Sequence, residues 1–266
     1  MLIDFKEYIP NYSSNRLTSE GDCRRAREIF LKNKPKNLIY LLKKRYGWMN
    51  NYLSGKEIIY ELGCGAGISK FFIKNKNLLL TDVSKFEWVD KYEDALNLSF
   101  EDNSVDAFVC SHMIHHLSNP KAFLVKAINC LKPGGIILIS DINLSLALKF
   151  ILRLTHHEGW SYKVNVFSEN AICNDPENPW SGNNAIPKLL FLDKSKFEFE
   201  FKNARIIHYK PTEFLIFLIS GGVISKTKTI QLPIFILNII NKFDEFLVRN
   251  FTNLFALGME IVIEKK

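Results

Sequence analysis

The sequence predicts an α/β fold in which a mainly parallel sheet is covered by helices on both faces. Three observations support this prediction. Short apolar runs of strand length alternate with helical segments, glycines cluster after the first of these runs, and polar side chains follow the next ones. Alternating strands and helices favour parallel pairing, because each crossover returns the chain to the same edge of the sheet. Ligands bind at the carboxyl ends of the strands in such folds.

Each element follows from its residue pattern. The runs typical of strands are 57–62, 77–81, 105–110, 136–140 and 259–264, and 197–209 alternates in a strand-like way. Helical spacing is found over 68–74, 119–131 and 145–155, and in pieces over 212–250. Residues 1–55 are predicted to be mostly helical and 156–192 mostly irregular.

Composition limits the classes of protein that fit. The chain has 266 residues, 47% hydrophobic and 24% charged, which suits one large globular domain. Five cysteines without a CxxC pair indicate neither a disulfide framework nor a zinc site, so we expect a reducing cytoplasm. No apolar run is long enough for a membrane span, and no signal peptide is expected. The net charge of +7 either favours anionic partners or reflects a lysine-rich surface.

The most specific local signal is the stretch 61–67, Glu-Leu-Gly-Cys-Gly-Ala-Gly, directly after the first apolar strand. Glycine allows backbone N–H groups to approach a ligand and readily adopts a positive φ. A dinucleotide-binding loop would need glycine at position 68, which is Ile68, and a phosphate-binding loop would need a following Gly-Lys-Ser/Thr. The spacing therefore indicates a cofactor loop of another kind.

Together with four later motifs, this loop resembles the class I S-adenosylmethionine-dependent methyltransferases of the type 11-like group. The later motifs are Asp82 at a strand end, the stretches 94–106 and 110–117, and Leu-Lys-Pro-Gly-Gly at 131–135. The resemblance implies a Rossmann-like, doubly wound sheet of seven mainly parallel strands. It also implies S-adenosyl-L-methionine as the cofactor. The chain would be a single methyltransferase domain over 1–266, with a lead-in over 1–55, a cofactor-binding core over 56–143, and a substrate-side insertion with closing strands over 144–266.

The resemblance also implies which residues bind the cofactor. Asp82 would accept hydrogen bonds from the ribose hydroxyls, and Asp94 would bond the adenine amino group. The full set is Glu61, Gly63, Cys64, Gly65, Gly67, Asp82, Val83, Asp94, Ala95, Ser111 and Met113. The interval from Asp82 to Asp94 is short for the helix usual in the family, so we expect a shortened helix. Trp88 in that interval would pack on the cofactor, in the core or at the surface.

Transfer of a methyl group to a hydroxyl requires a group that takes the hydroxyl proton, and histidine suits this at neutral pH. His115 and His116 follow the third clear strand and are candidate bases, although a capping or packing position would suit them equally. His157 is a third candidate, as a base or a substrate ligand. No metal is expected, because no third, separated ligand accompanies the stretch His-His-Glu at 156–158.

The leading hypothesis for the acceptor is a small molecule or glycan methylated on oxygen: a sugar, a nucleotide-linked sugar or a lipid-linked intermediate. The stretch 171–187, with Trp180 and several amides, would suit a lid over a polyol. It also resembles methyltransferases of bacterial surface-polysaccharide clusters. The core resembles methyltransferases of quinone biosynthesis as well, so a lipid or quinone acceptor is the alternative. The Phe-rich stretch 212–250 would then form an apolar pocket, a membrane-facing surface or a layer over the sheet.

Other classes of function are less well supported by the sequence. We expect no nucleic-acid partner, because no RNA-binding module is recognisable and basic residues do not cluster with aromatic ones. A cofactor-binding partner subunit without catalysis stays an alternative. The expected location is the cytoplasm, with peripheral contact to the inner face of the membrane left open, as is a homodimer.

Overall fold

The computed structural model describes residues 6–10, 23–156, 158–178, 180–222 and 229–266. The strands in these ranges are β1 (Glu7–Tyr8), β2 (Ile59–Leu62), β3 (Leu78–Asp82), β4 (Lys91–Tyr92), β5 (Val105–Ser111), β6 (Leu131–Ile142), β7 (Trp160–Ser161), β8 (Ala204–Thr212) and β9 (Gly258–Lys265). Seven of them form one sheet in the order β4-β3-β2-β5-β6-β9-β8. Neighbours from β4 to β6 are parallel, whereas β9 is antiparallel to both β6 and β8. The predicted mainly parallel, seven-stranded sheet is confirmed.

The helices of the described ranges surround this sheet. They are α1 (Cys23–Asn33), α2 (Lys36–Gly47), α3 (Asn50–Leu53), α4 (Pro120–Cys130), α5 (Leu146–Thr155), α6 (Ile186–Phe191), α7 (Lys194–Glu200), α8 (Leu215–Ser220), α9 (Ile234–Asn250) and α10 (Thr252–Phe255). Within the part of the chain that is described, none of these helices combines the length and the apolar character that a membrane crossing requires.

Both faces of the sheet are covered, as predicted. Phe108 and Val109 are successive residues of β5, so their side chains point to opposite faces. Phe108 belongs to a core that includes Phe123 of α4 and Phe197 of α7. Val109 belongs to the other core, where α2 and α8 pack against the sheet. A third, smaller core forms around α5 and includes Leu148.

Side-chain caps explain where the predicted helices begin. The Asn119 side chain accepts a hydrogen bond from the N–H of Ala122 at 2.9 Å, with Pro120 in the first turn of α4. The hydroxyl of Ser145 accepts one from the N–H of Leu148 at 3.3 Å at the start of α5. The helices predicted over 119–131 and 145–155 are confirmed.

The helix predicted over 68–74 is wrong, because the chain makes only a 3-10 turn at Ser69–Phe71. Helices of the lead-in cover this face of the sheet: the ring of Phe30 lies 6.0 Å from that of Phe72, and the ring of Tyr46 stacks on Phe72 at 6.1 Å. The side chain of Asn50 then accepts a hydrogen bond from the N–H of Lys74 at 2.7 Å. Side chains of the lead-in helices therefore pack against this segment, where a helix was predicted.

The strand predicted over 197–209 is only partly correct. Residues up to Glu200 belong to α7, because the Asp193 side chain caps that helix by accepting from the N–H of Lys196 at 3.0 Å. Phe197 is fully buried whereas Phe199 is exposed, and this difference fits one side of a short helix facing the core. Strand β8 then begins at Ala204.

No helix forms between Asp82 and Asp94 in the described stretch 83–93, where a shortened one was expected. The chain instead makes turns and the two-residue edge strand β4, which pairs with the end of β3. The Asp90 side chain fixes this arrangement by accepting from the N–H of Leu80 at 2.7 Å. The edge of the sheet beside the glycine loop is therefore covered by turns and by Trp88.

Candidate active site

A cavity of about 1180 Å³ lies at the carboxyl ends of β2, β3, β5 and β6. Its walls include Gly63, Asp82, Ser111 and Ile142, each at or directly after the end of one of these strands. Parallel strands bring these ends to one edge of the sheet, where open α/β folds bind ligands. The volume is at the upper end of that of small-molecule sites, so a nucleoside-sized cofactor leaves room for a second molecule.

The glycine loop after β2 needs glycine for two reasons. Gly63, Gly65 and Gly67 all have positive φ, at 66°, 51° and 61°. A Cβ added to Gly63 would lie 2.8 Å from Cγ of Met113, and one added to Gly67 would lie 2.5 Å from Cδ1 of Trp88. The loop is thus shaped to present its backbone to a ligand, which fits the cradle of a nucleoside cofactor.

Asp82 lies at the end of β3 and is 7% exposed. One of its carboxylate oxygens accepts a hydrogen bond from the N–H of Gly65 at 2.8 Å, and the other accepts from the N–H of Ser84 at 2.8 Å. Carboxylate oxygens have further lone pairs, so Asp82 can hold the loop and also accept from the hydroxyls of a ribose.

Glu61 and Gly67 support the loop from below and are not among the described residues that line the cavity. Glu61 is 1% exposed, and the hydroxyl of Ser69 donates to its carboxylate. Burial, with a contribution from the charge of Asp82, raises the pKa of Glu61 to about 8 despite that hydrogen bond. A protonated Glu61 thus stabilises the base of the loop.

The other residues predicted to hold the cofactor line the cavity: Gly63, Cys64, Gly65, Asp82, Val83, Asp94, Ala95, Ser111 and Met113. Asp94 caps a 3-10 turn at Ala95–Asn97 by accepting from the N–H of Leu96 at 2.9 Å. Burial raises the pKa of the Cys64 thiol, which is therefore a neutral part of the wall. The structure thus brings together, in one cavity, side chains from three strand ends and the turn after β4.

Trp88 packs on the glycine loop. Its indole N–H donates to the carbonyl of Gly65 at 2.8 Å. The guanidinium of Arg27 lies 4.7 Å from the centre of the Trp88 ring and donates to the carbonyl of Ala66 at 2.8 Å. Sequence reasoning missed Arg27, because it belongs to α1 and no spacing rule relates that helix to the loop.

His115 is paired with Asp141 deep in the site. Nδ1 of His115 lies 2.6 Å from Oδ1 of Asp141, and the two side chains are 3% and 0% exposed. The other carboxylate oxygen of Asp141 accepts from the N–H of Ile114 at 2.9 Å. Asp141 therefore fixes both the ring of His115 and the turn that carries it.

His116 and Glu158 complete the group. Nδ1 of His116 lies 2.9 Å from the carbonyl oxygen of Ser181, and the two histidine rings are 4.1 Å apart. Nε2 of His115 lies 3.6 Å from one Glu158 oxygen, and Nε2 of His116 lies 4.0 Å from the other. All three side chains line the cavity. His115, His116 and Glu158 together form the histidine–glutamate cluster.

The pKa values of the two histidines are shifted in opposite directions. Burial alone would raise the pKa of Asp141, but the neighbouring His115 lowers it to about 2. Burial would lower the pKa of His115, yet the Asp141 carboxylate outweighs burial and the pKa is raised. The pKa of His116 is lowered by its burial and by the charge of His115. His116 is therefore the histidine that is neutral near pH 7.

The sequence analysis named His115 and His116 but not Asp141. The available signal was an acid at the carboxyl end of β6, the position that Asp82 occupies on β3. The third candidate, His157, lies outside the described residues. Its neighbour His156 lines the cavity and lies 2.9 Å, through Nδ1, from the hydroxyl of Tyr8.

The part of the cavity beyond the cluster is mainly apolar. Helix α5 contributes Leu148, Ile151 and Leu152, and further apolar side chains come from Phe217 and Leu257. None of these five residues belongs to the predicted cofactor set, so this wall is available to a second molecule. An acceptor in this space would be held chiefly by apolar contact.

The stretch 171–187 lies over the cluster and closes part of the cavity. Asp175, Pro176 and Trp180 line the cavity. The Asn174 side chain donates to the carbonyl of His115 at 2.8 Å, and the N–H of Asn183 donates to the same carbonyl at 2.9 Å. This stretch is thus hydrogen-bonded to the turn that holds the histidines.

The fold and this site together define a nucleoside-cofactor-binding α/β protein. Residues 60–139 match the family described as "Methyltransferase domain". A SAM-dependent methyltransferase from Archaeoglobus fulgidus has the same fold, with a TM-score of 0.50, 18% identity, and coverage of 85% of this chain and 94% of that one. These two findings assign a methyltransferase domain to residues 60–139 and the fold of a SAM-dependent methyltransferase to the chain, and both are consistent with S-adenosyl-L-methionine as the cofactor.

Curated relatives match part of the chain. A ubiquinone biosynthesis O-methyltransferase of Rickettsia akari is 26% identical over 124 residues, which cover 41% of this chain and 49% of the relative. One of Cupriavidus pinatubonensis is 26% identical over 121 residues, covering 38% and 48%. The chain spans about half the length of the curated relatives that it matches.

Proposed function

We propose that the protein transfers the methyl group of S-adenosyl-L-methionine to a hydroxyl oxygen of a small, largely apolar acceptor such as a dihydroxybenzene or quinol. The observation that supports this most directly is that one cavity is lined by the predicted cofactor residues (the cofactor wall), by the apolar side chains of α5 and its neighbours (the apolar wall), and by the histidine–glutamate cluster. The bound cofactor would supply an electrophilic methyl group, and the chain would position the acceptor, exclude water and remove a proton.

The cofactor wall is suited to hold a nucleoside. The loop from Gly63 to Gly67 would offer its backbone, Asp82 the acceptor for ribose hydroxyls, and Asp94 with Ala95 the contact to the base. We expect substitution at any of these positions to weaken the binding of S-adenosyl-L-methionine more than it slows methyl transfer by the bound complex.

The acceptor hydroxyl must lose its proton, because a phenol is a weak nucleophile until it becomes a phenolate. Among the polar groups that line the cavity, we assign this step to the histidine–glutamate cluster. Its burial strengthens any electrostatic effect on the hydroxyl, since water does not screen a buried site well. A second candidate acceptor is a polyol or sugar, favoured by Asp175 and Trp180 in the cavity wall.

The apolar wall leads us to prefer the phenolic acceptor over the sugar. Curated relatives carry the name ubiquinone biosynthesis O-methyltransferase, which is consistent with that choice. Contact with a membrane surface and a homodimer stay predictions, as does a glycan acceptor.

The experiment is a radiolabelled methyl-transfer assay of the purified chain with two acceptor panels. One panel holds dihydroxybenzenes with apolar tails of increasing length, and the other holds sugars and sugar nucleotides. We expect transfer to the first panel, with activity increasing as the tail lengthens. Transfer only to the second panel would replace the phenolic acceptor by the glycan. Cofactor binding with no transfer to either panel or to lipid extracts would favour a cofactor-binding partner subunit.

A further inference from the structure

Three ligand-type side chains meet at the cavity, two of them buried and one partly buried. His115, His116 and Glu158 each offer one nitrogen or oxygen atom, and these atoms all lie within 4.8 Å of one another. Two come from the turn after β5, and the third comes from the segment after α5. Nothing in the sequence spacing relates them, so the fold itself creates the group.

Hydrogen bonds fix which nitrogen of each histidine is available. The carbonyl oxygen of Ser181 only accepts hydrogen bonds, so Nδ1 of His116 must carry a hydrogen and Nε2 of its neutral ring has the lone pair. Nδ1 of His115 donates to the carboxylate of Asp141 in the same way. Both Nε2 atoms lie towards Glu158, at 3.6 and 4.0 Å from its oxygens. Metal-binding histidines typically have this outer partner on the second nitrogen.

The carboxylate of the cluster is also positioned by a neighbour. The side-chain amide of Asn184, which is fully buried, donates to Oε2 of Glu158 at 3.1 Å. Each of the three side chains therefore has a hydrogen-bond partner that sets its orientation. This is the arrangement expected of a preorganised binding site rather than of three chance neighbours.

Charge also favours a cation at this place. Asp141 and Glu158 are both buried, at 0% and 8% exposure. A cation held by the cluster would lie close to both carboxylates, and it would take the place of the proton that Asp141 and Glu158 favour on His115.

We propose that His115 Nε2, His116 Nε2 and a carboxylate oxygen of Glu158 bind one divalent transition-metal ion, with the remaining coordination position open to the cavity. Two histidines and one carboxylate form a known ligand set for zinc and for other transition metals. Bonds of about 2.0–2.1 Å place tetrahedral ligand atoms about 3.3–3.4 Å apart. The distances of 3.6 and 4.0 Å go to different Glu158 oxygens, and the ligand atoms lie within 4.8 Å of one another, so binding requires side-chain movements of up to about 1.5 Å. This inference revises the expectation of no metal drawn from the sequence.

The open position gives the ion a use in the proposed reaction. A hydroxyl oxygen bound to a divalent cation loses its proton more readily, because the cation stabilises the resulting anion. The hydroxyl proton would pass to solvent water or to the Glu158 carboxylate oxygen that does not bind the ion. The acceptor oxygen would then form a bond to the methyl carbon of S-adenosyl-L-methionine as the bond from that carbon to sulfur breaks. This use rests on the proposed function, whereas binding of the ion does not.

The test measures metal binding apart from methyl transfer. The full chain is stripped with a chelator and dialysed against zinc at a series of free concentrations, and bound zinc is counted by mass spectrometry. We expect one zinc ion per chain for the natural protein and at least tenfold weaker binding for Glu158→Gln and His116→Ala. His208→Gln is the matched control, because His208 also faces a carboxylate, that of Glu260 at 3.5 Å, but belongs to another part of the fold. This control should bind zinc as the natural protein does.

Two further measurements make each outcome decisive. Calorimetric titration with S-adenosyl-L-methionine on every variant shows whether the fold and cofactor wall are intact. If a variant unfolds, cobalt is added to the metal-free natural protein instead. The absorption spectrum of the bound cobalt then shows whether histidine nitrogens coordinate the metal. Absence of stoichiometric zinc and of such cobalt bands in the natural protein would overturn the proposal, as would equal zinc binding by a folded Glu158→Gln. Cofactor binding and methyl transfer by the zinc-free chain would leave the proposed function intact and remove the metal.

Discussion

Met113 occupies the space that a side chain at Gly63 would need, since a Cβ built on Gly63 lies 2.8 Å from Cγ of Met113. Gly63 directly follows β2, and Met113 lies just after β5, the neighbouring parallel strand. The glycine loop and the turn that precedes the histidines are therefore packed against each other. This contact connects the loop that would bind the cofactor with the turn that carries His115 and His116.

Gly63→Ala is expected to destabilise the fold by about 1–3 kcal/mol and to weaken S-adenosyl-L-methionine binding at least tenfold. The added methyl group collides with Met113, and alanine also disfavours the φ of 66°. Chemical denaturation and calorimetric titration measure the two effects. Gly55→Ala is a matched control, because Gly55 has a φ of 74° but nothing within 4 Å of its added Cβ. It should show only the backbone cost, about 1 kcal/mol, with normal cofactor affinity.

The collision can be relieved by a second change. Gly63→Ala combined with Met113→Ala should recover part of the lost cofactor affinity, because the shorter side chain vacates the space at Cγ. Failure of the double variant to recover any affinity would mean that backbone strain, and not contact with Met113, makes glycine necessary at position 63.

Asp82→Asn should reduce affinity for S-adenosyl-L-methionine by roughly a hundredfold while the protein stays folded. The amide oxygen can still accept from one of the two N–H groups, that of Gly65 or that of Ser84, but the NH2 group cannot accept from the other, and the charge that favours bonds from ribose hydroxyls is lost. Asp106→Asn is a suitable control, since Asp106 also accepts from backbone N–H groups, those of Glu57 and Ile58, near the opposite ends of the strands. Unchanged affinity of Asp82→Asn would contradict the assignment of the ribose site.

Much of the fold could be predicted from local sequence. The five clear strands and the glycine loop follow from short apolar runs and glycine spacing, and the structure confirms them. The predictions that were wrong depended on distant packing. A helix is absent at 68–74 because lead-in aromatic residues such as Phe30 cover that face. Apolar periodicity does not report such competition between segments.

The candidate site could likewise be predicted only in part from the sequence. Residues of the cofactor wall belong to motifs within a few positions of a strand end, so spacing could identify them. The histidine–glutamate cluster is different, because Asp141 and Glu158 reach His115 only through the order of the strands and the course of the chain after α5. A sequence gives no direct measure of these distances. From the sequence alone, Glu158 could be grouped only with the histidines that precede it at 156 and 157.

The stability of the protein should fall as pH rises from about 4.5 to about 8, owing to Glu61. Burial raises the pKa of this carboxyl to about 8 from an ordinary value of 4.5, so the folded state keeps a proton that the unfolded state releases. The contribution is full below the unfolded pKa and is lost through this range, with a size on the order of a few kcal/mol. Thermal unfolding across pH measures it, and Glu61→Gln should flatten the dependence.

Asp106 provides a control of opposite sign for that measurement. Burial would raise its pKa, but the ion pair with Lys132 and two backbone N–H groups lower it below the ordinary value. Its contribution is present above the unfolded pKa and is lost as the pH falls below about 4. Asp106→Asn should therefore change only the acidic part of the curve. A slope near neutral pH that persists in Glu61→Gln would show that another group is responsible.

Two adjacent residues of α5 test whether the acceptor lies against the apolar wall. Ile151 lines the cavity, whereas Phe150 is 65% exposed on the other side of the same helix. Ile151→Ala should raise KM for an apolar-tailed dihydroxybenzene about three- to tenfold, because part of the buried apolar contact is lost, each methylene being worth roughly 0.8 kcal/mol when fully buried. Phe150→Ala should leave KM unchanged, and neither variant should alter the affinity for S-adenosyl-L-methionine. Equal KM values for Ile151→Ala and the natural protein would move the acceptor away from α5, towards the polar side of the cavity at Asp175 and Trp180.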